Sequence, residues 1–126
     1  MKAWILSVIG FLLLLGFGAG SNRYLHNSSN RVVLLVNRID SAIESEDWQL
    51  AVNRLVKATH YWKRIKSWWA LLIHHQELDN IENALVKLEK AIQCQDQNNS
   101  QMISGELQYF LQHIPQREKF TVINIL

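Results

Sequence analysis

Between Ser21 and Ser104 the chain contains no glycine, and its single proline is Pro115. A turn-rich β architecture needs those residues at its tight turns, so it is excluded and helices remain. Apolar residues recur at helical spacing in four stretches. Val32, Val36, Ile39 and Ile43 form the first, with Ser28 or Ser29 as the expected cap. The second is a strict heptad stripe of Trp48, Ala51, Leu55, Ala58, Trp62, Ile65, Trp69 and Leu72. Large Trp alternates there with small Ala, which lets a facing helix come close at the Ala levels. Ser45 is the expected cap, with Glu46 and Asp47 in the positive first turn. Leu78, Ile81, Leu85, Leu88 and Ile92 form a third stripe, out of phase with the Trp stripe. One helix from Ser45 to Gln95 would be about 75 Å long, so the phase shift predicts a break between Ile73 and Glu77. Glu77 and Asp79 then fall in an acidic first turn. Ile103, Leu107, Phe110 and Ile114 form the fourth stripe, capped at Asn99 or Ser100 and ended by Pro115. Asn27–Asn30 and Gln95–Ser100 read as connectors, although nothing between Asn22 and Asn30 forbids the first helix from running on from the N-terminal apolar segment, and no long-period repeat is visible.

Ala3 to Ala19 carries no charge, with Lys2 before it and Arg23 after it. On a helix these residues span about 26 Å, close to a hydrocarbon core of about 30 Å. Trp4 and Tyr24 suit the two headgroup layers. Residues 1–22 therefore read as a transmembrane anchor and 28–126 as a helical bundle. The expected fold is all-α: an N-terminal transmembrane helix followed by an antiparallel bundle of about four helices. The rival reading is a signal peptide cleaved before Ser21, which would release a secreted bundle. Arg23 and Arg31 offset Lys2 in charge bias. A short basic head at the extreme N-terminus nonetheless favours a single-pass protein with its bundle on the extracytoplasmic side of the cell membrane. The Gly16 to Gly20 spacing permits close helix pairing, although membrane helices use glycine freely.

The chain has a formal net charge of +2, which argues against general nucleic-acid binding. Cys94 is alone, so there is no internal disulfide and no cysteine metal cluster. No Gly-rich phosphate loop or nucleophile elbow is present, and no histidine neighbours Cys94 in sequence. No catalytic residue and no cofactor are therefore expected. His74, His75, Glu77 and Asp79 form the densest polar cluster. His75 and Asp79 have the i, i+4 spacing of a two-ligand site, and His113 is the other donor in a terminal motif. Against metal binding stands a capped interhelix turn. Lys57, Tyr61, Arg64, Trp68 and His75 project along one flank at helical period, with Arg64 in reach of either ring. This is a basic aromatic strip for an anionic lipid, a wall polymer or a partner helix, or else a solvated flank over a bulky core. Phe120, Val122, Ile123, Ile125 and Leu126 form an apolar tail expected to dock on the bundle or a partner.

Several residues together resemble an uncharacterised bacterial family, domain of unknown function 4363. They are Asp47-Trp48 with Ala51, Trp62 and Trp69, then His75-x-Glu77-Leu78-Asp79-x-Ile81-Glu82 with Leu85 and Leu88. His113-Ile114-Pro115 with Glu118, and Asn124-Ile125, complete the pattern. The resemblance covers nearly the whole chain, and its two His-containing motifs are the most specific parts. It implies a membrane-associated helical protein of spore-forming Gram-positive bacteria with no known catalytic activity. It also implies a multi-pass membrane protein as partner. Cys94 and the basic residues of the second helix lie outside the pattern. The expected function is a membrane-tethered, non-enzymatic interaction module or accessory subunit of a membrane protein, in contact with membrane lipid and open to homo-oligomers. The alternatives are an extracytoplasmic metal or ligand sensor and a secreted helical protein binding an anionic envelope polymer.

Overall fold

The computed structural model describes the backbone of residues 2–125 and the side chains of residues 2–114. The described residues form four helices: α1 (Lys2–Glu44), α2 (Trp48–Leu72), α3 (His75–Gln93) and α4 (Gln97–Ile125). Each packs on its neighbour in sequence, and α4 closes back on α1, so the four form an antiparallel bundle. The expected fold class is the one found.

The apolar N-terminal helix and the first bundle helix are one, as the lack of a helix breaker between Asn22 and Asn30 allows. α1 runs for 43 residues, about 65 Å, through the polar stretch Asn27–Asn30. Its first part carries exposed apolar side chains, Trp4 to Phe17. From Leu25 onward a buried stripe follows: Ser28, Ser29, Val32, Val36, Ile39, Ala42 and Ile43. Ser28 and Ser29 are thus interior residues, not caps. The Ser28 hydroxyl donates to the Tyr24 carbonyl at 2.7 Å, one turn back, so it stays satisfied without breaking the helix.

Two of the three turns have the same construction. Glu46 (φ 56°) and Gln95 (φ 53°) adopt the left-handed conformation. The N–H groups of Glu46 and Asp47 donate to the Ile43 and Ala42 carbonyls, both at 3.0 Å. Those of Gln95 and Asp96 donate to Ile92 and Ala91 at 2.9 and 3.0 Å. This is a Schellman motif built without glycine. It places an aspartate at the start of the next helix each time. Asp47 Oδ1 accepts from the Leu50 N–H at 3.2 Å, and Asp96 Oδ1 from the Asn99 N–H at 3.1 Å. The caps are therefore Asp47 and Asp96, not Ser45 and not Asn99 or Ser100. Ser45 donates back to the Ser41 carbonyl instead. The remaining turn, Ile73-His74, is extended and lies where the phase shift predicts a break, with Glu77 in the first turn of α3.

The paired turns expose a repeat that residue identities conceal. A shift of forty-nine residues lays α3–α4 on the second part of α1 followed by α2. Val32, Val36, Ile39, Ala42 and Ile43 correspond to Ile81, Leu85, Leu88, Ala91 and Ile92. Ala51, Leu55, Ala58, Trp62 and Ile65 correspond to Ser100, Ser104, Leu107, Leu111 and Ile114, and every one is buried. The body is a helical hairpin used twice. Ser104 donates to Asp40 Oδ1 at 3.1 Å, whereas the buried Ser100 hydroxyl has no partner among the described residues. Its counterpart is Ala51. Ser100→Ala is therefore expected to stabilise the fold by about 1 kcal/mol, read as a higher melting temperature. A lower one would show that the hydroxyl has a partner after all.

Pro115 does not end the fourth helix, because α4 continues to Ile125. Proline lacks the N–H that would bond the carbonyl one turn back, here Leu111. The buried Ser29 hydroxyl of α1 donates to that same Leu111 carbonyl. The polar defect of the proline is thus met from the facing helix. Leu111 and Ile114, both buried in the turn before the proline, hold the chain helical against the local preference. The expected docking of Phe120, Val122, Ile123, Ile125 and Leu126 concerns side chains outside those described.

Candidate functional site

The Trp stripe is core. Trp62 and Trp69 meet edge to face with centroids 5.3 Å apart and planes at 82°. Trp69 Nε1–H donates to Ser28 Oγ at 2.9 Å, while the buried Trp62 Nε1 has no partner among the described residues.

The surface with chemical character is the outer seam between α1 and α2. Buried residues of α2 face the centre and leave Lys57, Arg64 and Trp68 exposed along one side, with Tyr61 half-buried beside them. The cation over the Tyr61 ring is Arg31 of α1, 5.2 Å from its centroid, and not the Arg64 expected from helical spacing. Higher on the seam, the Arg54 guanidinium donates to the Arg38 carbonyl at 2.6 Å. Arg38, Arg54 and Lys57 border a shallow hollow of about 380 Å³ with Leu35, Leu50 and Asn53, and no acid among the described residues lines it. At the lower end Tyr24 approaches Tyr61. Burial, then the neighbouring Tyr61, raises the Tyr24 hydroxyl above its ordinary pKa. The seam is thus a run of cations and aromatic rings on a continuous face.

The other flank of α2 is mixed in sign. Lys66 pairs with Glu82 of α3, both partly exposed, so water and salt screen the pair. A second hollow of about 350 Å³ between these helices has both Lys63 and Glu89 in its wall.

His75 does not join the strip. The chain turns at Ile73-His74, so extrapolating the α2 period to His75 fails, and its ring belongs to α3. His75 and Asp79 are exposed on α3. The His113 ring stacks on Tyr109 with centroids 4.0 Å apart, and its Nδ1–H donates to the Tyr109 carbonyl at 2.9 Å. Among the described residues, no three His, Cys, Asp or Glu side chains converge on a metal position. Sequence reasoning missed Arg31 and Arg38. Their seven-residue spacing on α1 was the available signal, but it has meaning only once α1 is paired with α2.

A family model described as Domain of unknown function (DUF4363) matches residues 19–125, which leaves out most of the apolar run. No curated protein and no solved structure matches the chain.

Proposed function

We propose, from the premise that the chain belongs to the DUF4363 family, that it is a membrane-tethered, non-enzymatic interaction module. It serves as an accessory subunit of a membrane protein and stands on the extracytoplasmic side. The observation that carries this reading is α1, one helix whose first part is exposed and apolar and whose second part is bundle core. An unbroken helix of this kind suits a permanent tether. The tether holds the bundle at high local concentration near membrane partners, so a weak interface suffices. The cationic hollow at Arg38, Arg54 and Lys57 is the partner surface. Arg38 lies sixteen residues beyond Asn22, about 24 Å along the helix. That is too far for lipid headgroups and suits an acidic extramembrane loop.

The test is affinity purification of the full chain from native membranes, with Arg38→Glu/Lys57→Glu as the comparison. The wild type is expected to retain a stoichiometric membrane protein. The double variant is expected to lose at least nine-tenths of it, with unchanged melting and unchanged resistance to alkaline extraction. Recovery of the wild type alone, under conditions that preserve other membrane complexes, overturns the proposal.

A further inference from the structure

We infer that the base of the bundle is seated in the headgroup layer of the membrane that holds α1, through Trp68 and Leu71 with Arg64 above them. The inference rests on the anchored reading and on the height of these side chains along α1. α1 is continuous from the apolar run into the bundle, so its rise per residue sets the level of everything packed on it. The short turn Ser45–Asp47 sets the antiparallel register of α2, and two contacts agree with it: Arg54 on Arg38 and Tyr61 beneath Arg31. The same register puts Trp68 level with Tyr24 and Leu71 level with Ser21. The uncharged run ends at Ala19, so the two side chains stand about 8 and 3 Å from its end along the helix.

At this level both are open. Trp68 is 62% exposed and Leu71 76% exposed. They are three residues apart on α2, on the side that also carries Arg64 and Lys57. Indole partitions preferentially to the membrane interface, where one edge is dry and the other wet. Arg23 of α1 lies near the level of Trp68, at phosphate height, and Arg64 lies one turn farther from the run; both are exposed. A guanidinium there bonds phosphate oxygens in a fork. Leu71 lowest, Trp68 and Arg23 at the next level, Arg64 one turn higher and a distant hollow of cations above match the layers of a bilayer surface. They do not match a uniformly wet flank.

The test uses the full chain with Cys94→Ser, reconstituted in phosphatidylcholine–phosphatidylglycerol vesicles. A nitroxide is placed on Ser67→Cys, exposed beside Trp68, or on Met102→Cys, exposed and level with the far part of the bundle. Collision with a water-soluble nickel chelate and with oxygen is then measured. The position-67 label is expected to be several-fold less accessible to nickel than position 102, and richer in oxygen. Adding Trp68→Ala and Leu71→Ala should bring it toward the value at 102. Equal nickel access at both positions, in protein that still resists alkaline extraction, overturns the inference and leaves the anchor standing. A position-67 label shielded from both reagents and dipolar-coupled to another label assigns the patch to a second copy, and also overturns it. Loss of the protein from the vesicles overturns the anchored reading itself.

Discussion

Trp69→Ala is expected to lower the unfolding free energy by about 3–5 kcal/mol, a large share of the roughly 5–15 kcal/mol typical of a domain. The measurement is denaturant unfolding of the full chain in detergent micelles, followed by circular dichroism. Trp69 has no exposed surface, packs edge-on against Trp62, and anchors α2 to α1 through Ser28. Alanine would leave a cavity at the level where the two helices are tied together. Trp69→Phe keeps part of the volume. The Ser28 hydroxyl still donates to the Tyr24 carbonyl, so the phenylalanine variant should lose clearly less than the alanine variant. Trp62→Phe should lose less still, because its buried N–H has no partner among the described residues to forfeit. A Trp69→Ala protein within about 1 kcal/mol of wild type would show that the Trp stripe is not the main source of the bundle's stability.

The second large effect is conditional. Ser29→Ala is expected to cost about 1–3 kcal/mol, because the Leu111 carbonyl would be left buried without a donor. In a Pro115→Ala background the same change should cost less than about 1 kcal/mol. Replacing the proline by alanine restores the N–H that an α-helix directs at Leu111, so the serine becomes redundant. The double-mutant cycle isolates this coupling. Equal costs in the two backgrounds would show that Ser29 has no compensating role toward the proline.

These two cases also show what a sequence discloses. The Trp stripe was legible because burial imposes a period, and Ala51, Leu55, Ala58, Trp62, Ile65 and Trp69 all proved buried. The break after Leu72 was legible for the same reason, as a change of phase. The roles of Ser28 and Ser29 were not, because each is defined by a residue on another helix. Pro115 read as a terminator because local preference is all that a linear chain displays. The Asp47 and Asp96 caps were missed because the preceding left-handed residues are Glu46 and Gln95, where glycine would have announced the turn. The repeat was hidden because it conserves burial and turn geometry and not residue identity. Along the candidate surface, the shared flank of Lys57, Tyr61, Arg64 and Trp68 was legible from one helix alone. Arg31, Arg38 and the hollow needed knowledge of which helix lies alongside.

The uninterrupted course of α1 has a mechanical consequence. If the proposed tether holds Ala3–Ala19 in lipid, α1 becomes a lever whose inner and outer arms are one continuous helix. On that reading, a tilt or twist forced on the inner arm by a neighbour or by bilayer thickness would reach the turn beyond Glu44, amplified by the length of the outer arm.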